Sequence, residues 1–338
     1  MSEEIIVVDG VSAAGKLLIS LFLQTFDRVQ KMEHNHIYGY LAATHFHKKI
    51  TKDATIELMN LTADTMLTGS MLSRDINFRI FDDSSVFRTP KKWQYIKRAF
   101  RPDGDVLLDY VKKEKPILHI VTHFSGISKE LFFEAFQDRL KFISVVRHPM
   151  YMFDWWVNNF KMYGKLKREY GLLIKSKSDG YMPWYAIGCF DDYDSMTVEE
   201  KVVCVMEWVI NETLKSDGSL TPSQKKNHIV IPYEHFVTNT HKYGKILQEF
   251  LSSLKTKSTD KFLKKQRLPS ASFSGRKFKR TILGNKVGPA ENDYHAHKEL
   301  VNHFNKICSK KAFDNLLRIS IDYEEKFDIK SISTKDYI

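Results

Sequence analysis

Four short runs along the chain are almost continuously apolar and β-branched: EIIVVDG (4–10), PILHIVTHF (116–124), KFISVVRHP (141–149) and NHIVIPYEHF (227–236). Runs of this length without polar alternation predict strands buried on both faces. Between them the spacing turns helical. Lys16–Val29 carries Leu, Ile and Phe at helical intervals. Ser128–Arg139 opens on a potential Ser cap and places Leu131, Phe132 and Phe136 on one side. Residues 150–163 and 198–215 read as helices, and NFRIFDD (77–83) as a fifth strand. Strand and helix in alternation predict an α/β fold, a parallel β-sheet flanked by helices. Ligands of such sheets bind at the carboxyl ends of the strands. Gly10–Lys16, Thr122–His123 and Arg147–Pro149 all fall there.

The remainder is less patterned. Residues 30–115 read as a mainly helical insertion holding His34, His36, His45 and His47. Nothing else in the sequence supports a metal cluster there, and no metal is expected. Residues 164–197, rich in Gly, Lys, Tyr and Asp, read as a loop or lid. The stretch 258–292 is basic and polar, and reads as extended. With no internal repeat and one alternating pattern, residues 1–338 form a single expected domain.

Composition changes this picture in two respects. A net charge of +11 favours an anionic partner, and charge alone does not choose one. No nucleic-acid motif accompanies the charge. The 3 cysteines, Cys189, Cys204 and Cys308, form no CxxC pair, and such scattered cysteines fit a reducing compartment. The first residues show no basic n-region followed by an apolar stretch, and no later segment offers the roughly 18 apolar residues of a membrane span. A soluble, cytoplasmic protein is the expectation.

The chemistry starts at DGVSAAGK (9–16), a strand end, a glycine-bounded loop and a helix start. Gly10 and Gly15 allow a tight turn and close approach of backbone N–H groups to an anion, and the helix dipole favours negative charge there. Lys16 adds a point charge. The hydroxyl residue that holds magnesium in a phosphoryl-transfer loop is absent, because Leu17 stands in its place. A transfer without that metal, such as sulfuryl transfer, tolerates the leucine.

The order of motifs resembles the sulfotransferase family: glycine loop, His strand, Arg-His-Pro strand end, Tyr-Glu strand end, basic loop. The resemblance runs from residue 4 to about 290 and is loosest over 30–115. It implies a P-loop NTPase-like three-layer sandwich and a donor, 3'-phosphoadenosine 5'-phosphosulfate, leaving as 3'-phosphoadenosine 5'-phosphate without a metal. Arg147 matches the arginine on the 3'-phosphate, and the guanidinium fork suits that anion. His123 falls where many members place the catalytic base, a role imidazole fills near neutral pH, with Glu or Asp from 30–115 as competitor. Lys16 would act beside it on the leaving phosphate. Tyr233 and Glu234 match the Tyr-Glu strand end. The implied donor contacts are Gly10, Ser12, Ala13, Ala14, Gly15, Lys16, Leu17, Arg147, Trp155, Arg276 and Lys277. Two positions depart from the pattern. Ala13 replaces a loop lysine, and Trp155 replaces a serine eight residues after the arginine. The acceptor would be a small molecule or glycan, with the aromatic segments 151–163 and 181–190 near it. A small-molecule kinase using ATP, which the loop fits more literally, and an inactive nucleotide-binding protein on the same fold stay open.

Overall fold

The computed structural model describes residues 3–163, 171–274, 280–282, 285–287 and 292–337. Its centre is a 5-stranded sheet in the order β2-β3-β1-β4-β7, comprising β1 (Ile5–Asp9), β2 (Glu33–His34), β3 (Leu118–Val121), β4 (Leu140–Val146) and β7 (His228–Pro232). Every pairing in it is parallel. β1 shows why the continuous apolar runs were needed. Ile6 and Val8 join one core with Ile143 and Val145 of β4, whereas Ile5 and Val7 join a second with Leu118 and Ile120 of β3. Both faces are covered, so no position along the strand can be polar without a partner.

The first face carries α1 (Lys16–Leu23), through Phe22, together with Phe236 of α10 (Tyr233–Thr238) and Leu247 of α11 (Thr240–Phe250). The second face carries α2 (His36–Phe46), α3 (Lys52–Leu72) and α6 (Lys129–Phe136). These layers give the predicted fold class: α/β, with helices on both sides of a parallel sheet. Residues 30–115, which hold β2, α2 and α3, also form α4 (Lys92–Arg98) and α5 (Val106–Glu114). Further along the chain come α7 (Met150–Met162), a β-hairpin of β5 (Leu173–Lys175) and β6 (Tyr181–Pro183), a 3-10 turn over Trp184–Cys189, α8 (Val198–Ser219) and the short α9 (Pro222–Lys226). A capping box between Thr197 and Glu200 starts α8. The chain closes with α12 (Lys257–Gln266), α13 (Asp293–Ile307) and α14 (Lys310–Phe327).

Four expectations are corrected. The stretch 258–292, read as extended, begins inside α12 (Lys257–Gln266). The fifth strand is Glu33–His34, paired to Ile120 and Val121, and not 77–83. Residues 77–83 form turns in which Asn77 bonds Asp82 and Ser84, leaving Phe78, Ile80 and Phe81 exposed. The first helix stops at Leu23 rather than Val29. Thr25 Oγ1 takes the carbonyl of Phe22, and Asp27 N–H pairs with Leu254, which draws the chain out of helical register. Finally, Cys189 and Cys204 are joined in a disulfide spanning 15 residues, from the end of the 3-10 turn to the second turn of α8. Cys308 is free. Among the described residues no helix is long and apolar enough to cross a membrane.

Candidate functional site

The strand order reverses between β1 and β4, since the chain leaves β1 toward one edge of the sheet and β4 toward the other. The loops after these two strands therefore flank the point where open α/β sheets bind ligands. One is the glycine loop and the other holds Arg147.

Backbone geometry fixes the loop. Gly15 sits at φ 93°, and a Cβ there would lie 2.2 Å from the Tyr233 ring. At Gly10 a Cβ would lie 2.4 Å from the carbonyl oxygen of Val145. Ala13 also takes a left-handed φ, 67°. No side chain caps the start of α1 at Gly15, and its Leu18 N–H donates to the Gly15 carbonyl at 3.1 Å. Trp156 donates from Nε1 to the Ser12 carbonyl at 3.0 Å. Its neighbour Trp155, the residue read as a donor contact, is 46% exposed on the outside of α7.

Lys16 folds back over the loop. Its Nζ donates to the carbonyls of Gly10 (2.6 Å) and Val11 (3.1 Å), and lies 2.8 Å from His123 Nδ1. Burial pushes the Lys16 pKa down to about 7, against the pull of Asp9. Burial and then the Lys16 charge push His123 down to about 2, so its imidazole is neutral. With Nδ1 facing an ammonium, the ring proton sits on Nε2.

Asp9, which the sequence reading passed over as a strand end, braces the arrangement. Its buried carboxylate accepts from Thr122 Oγ1 (2.8 Å), Ser125 N–H (3.0 Å) and Gly126 N–H (2.7 Å). It thereby ties the root of the glycine loop to the segment carrying His123.

Arg147 crosses from β4. It donates to the Ala13 carbonyl at 2.9 Å and stacks over Tyr233 with its guanidinium carbon 4.6 Å from the ring centroid. Its Nε is buried without a hydrogen-bond partner among the described residues. Behind it, Glu234 accepts from His148 N–H (3.1 Å) and from Tyr323 O–H (2.7 Å). His148 in turn meets Glu324 at 2.9 Å, and His297 meets Thr334 Oγ1 at 2.9 Å. His148, His297 and Glu324 have ligand atoms within 4.8 Å of one another. Hydrogen bonds engage His148 and, from Thr334, Glu324, whereas His297 Nδ1 has no partner among the described residues. His34, His36, His45 and His47 form no such cluster among the described residues. Ser144 points to the opposite face, bonding His228 at 2.9 Å. Arg276 and Lys277 lie outside the described residues, as does the basic cluster Lys165–Arg168.

A cavity of about 220 Å³ opens beside His123. Ser12 and His123 form its floor, Asn35, His36 and Tyr40 one wall, and Tyr163, Trp184 and Tyr185 the other. Both aromatic segments singled out in the sequence contribute, whereas Asn35 and Tyr40 come from the helical insertion and were not foreseen. Tyr185 stacks on Phe124 at 3.9 Å and shares a 2.6 Å hydrogen bond with Tyr163.

Fold and loop together define an α/β protein with a glycine-bounded loop at a topological switch point. No family model and no curated protein sequence matches the chain. Among solved structures, it is similar to the sulfotransferase domain from the curacin biosynthetic pathway, at 12% identity over 94% of this chain and 96% of that one, TM-score 0.42. It is also similar to the sulfotransferase domain of the Synechococcus PCC 7002 olefin synthase, at 12% identity over 95% of each chain, TM-score 0.40. A third is sulfotransferase STF9 from Mycobacterium avium, at 11% identity over 98% of this chain and 78% of that one, TM-score 0.42.

Proposed function

We propose that the chain is a sulfotransferase, moving a sulfuryl group from 3'-phosphoadenosine 5'-phosphosulfate to a hydroxyl or amine of a small-molecule or glycan acceptor. The observation that carries the reading is the meeting of Lys16 and His123. They are 107 residues apart in sequence, yet their nitrogens lie 2.8 Å apart between the glycine loop and the cavity. On this reading Lys16 is the cation for a developing phosphate charge and His123, beside it, the base for an acceptor proton.

The residues fit such a donor. Arg147 has a buried, unpartnered Nε and can turn its fork from the Ala13 carbonyl onto a phosphate. The N–H groups of Gly15, Lys16 and Leu17 at the start of α1 would hold the 5' side. The donor supplies the sulfuryl group and a phosphate leaving group. Negative charge at the loop raises the pKa of Lys16, which then stays protonated and turns from the carbonyls of Gly10 and Val11 toward the anion. Its departure frees His123 Nδ1, and the same negative charge raises the imidazole from its depressed value. Nδ1 then accepts the acceptor's proton from the cavity side. Leu17 offers no oxygen to magnesium, which favours this reading over an ATP-dependent kinase.

The test is thermal unfolding with 3'-phosphoadenosine 5'-phosphate and, separately, with ATP plus magnesium. It is followed by sulfuryl transfer from the donor to a panel of phenols, amines and sugars. Stabilisation by the 3'-phosphorylated nucleotide and product with at least one acceptor support the proposal. Stabilisation by ATP and magnesium alone would replace it with the kinase reading. Nucleotide binding without transfer to any acceptor would favour an inactive binding protein.

A further inference from the structure

A second cavity, of about 180 Å³, lies on the other side of the glycine loop. It is enclosed by the ends of β1 and β4, by α8 and by α14. Its ceiling is the underside of Gly10, Val11 and Arg147. Val146, Val209, Leu214, Ile319 and Phe327 make the walls apolar. It shares only Phe124 with the cavity beside His123, and none of its lining residues was read as a site from the sequence apart from Gly10 and Arg147.

Size and charge select an occupant. An apolar cavity of roughly 150 Å³ takes up benzene, so this one admits an aromatic ring with a short substituent. Four charged side chains surround the outer end: Asp217, Arg318, Asp322 and Lys326. Asp217 is paired with Lys129 at 2.5 Å, and Arg318 with Glu207 at 2.5 Å and Asp322 at 3.7 Å. Lys326 has no carboxylate within ion-pair distance among the described residues and leans over the Phe327 ring at 5.5 Å. Lys326, which feels Asp217 only at longer range, is therefore the rim cation left without an ion-pair partner among the described residues, beside an apolar hole. We infer that this cavity binds a small aryl carboxylate, with its ring between Val209 and Ile319 and its carboxylate at Lys326.

The inference does not rest on sulfuryl transfer, and either can fail alone. The experiment is calorimetric titration of the full chain with phenylacetate and with its neutral counterpart phenylacetamide. The expected result is that phenylacetate binds at least about threefold tighter than phenylacetamide. Ile319→Trp, which fills the hole, should abolish binding of both. Lys326→Glu should weaken phenylacetate by about threefold or more and leave phenylacetamide unchanged. Lys326 is exposed, so this arm stands even if Ile319→Trp does not fold. Absence of binding by either probe up to about 10 mM, binding that survives Ile319→Trp, or equal affinity for the charged and neutral probes would overturn the inference.

Discussion

Replacing Arg147 by alanine separates the energetic contributions at the proposed donor site. A guanidinium fork makes two charge-assisted bonds to a phosphate, each contributing about 1.5–3 kcal/mol, or roughly 4.5 kcal/mol at the midpoint. Without ligand the side chain is already engaged. Turning onto a phosphate gives up its 2.9 Å bond to the Ala13 carbonyl, about 1 kcal/mol. It also gives up the Tyr233 face, about 0.75 kcal/mol. The difference is close to 3 kcal/mol, on the order of 100-fold in affinity. At a concentration of 3'-phosphoadenosine 5'-phosphate about 100 times the wild-type Kd, the ligand stabilises by about 2.7 kcal/mol. In Arg147→Ala the same concentration equals the Kd, and the stabilisation falls to about 0.4 kcal/mol. Chemical denaturation at that fixed concentration reads the change directly, and titration calorimetry gives the Kd. Arg147→Lys keeps the charge and loses the fork, so it should fall between the two. A folded Arg147→Ala protein that loses less than about threefold in affinity would show that Arg147 does not meet the phosphate, and the site assignment would fall with it.

Other outcomes follow from the same geometry. At pH 8 Lys16, with a pKa near 7, is mostly neutral, so binding of the nucleotide should take up close to one proton. Calorimetry in buffers of different ionisation enthalpy should detect this uptake, and Lys16→Met should abolish it. Gly15→Ala should destabilise by roughly 2–4 kcal/mol in urea unfolding, since it adds both a strained φ and a clash with Tyr233. Burial lowers the His119 pKa to about 3. Its contribution to stability is therefore full above pH 6.5 and is lost as pH falls toward 3, at about 1.4 kcal/mol per pH unit. His119→Leu should flatten the acid limb of the stability curve between pH 6 and 4 by that slope. Cys204→Ala should cost about 3 kcal/mol, the loop-closure value for a 15-residue separation. Peptide mapping without reductant should recover Cys189 linked to Cys204.

What could be read from the chain follows from how local each signal is. β1, β3, β4 and β7 announced themselves because burial on two faces forces every position to be apolar. β2 could not, because it has two residues, Glu33 and His34, and exists only through its pairing with β3. Residues 77–83 misled for the converse reason. Their aromatic and β-branched residues suit a strand, but Asn77 and Asp82 satisfy one another in a turn. At the site, the glycine loop and Arg147 carry their chemistry within a few residues. Asn35 and Tyr40 reach the cavity only through the docking of α2, which no spacing encodes. The pairing of Cys189 with Cys204 likewise depends on how the 3-10 turn lies against α8.

The Asp9 brace has a consequence for how this scaffold could be altered. Beyond the pairing of β1 with β3 and the Lys16–His123 contact, the loop that would grip a donor and the segment that would deprotonate an acceptor are joined by one carboxylate and three donors, two of them backbone N–H groups. The Asp9 donors are Thr122, Ser125 and Gly126, not the cavity-wall side chains Asn35, Tyr40 or Tyr185, of which Tyr185 rests on the braced segment through Phe124. New acceptor walls could therefore be grafted onto the chain without moving His123 relative to Lys16. Asp9→Asn, which turns one acceptor into a donor facing N–H groups, would let the two halves drift apart while leaving every reactive side chain in the sequence.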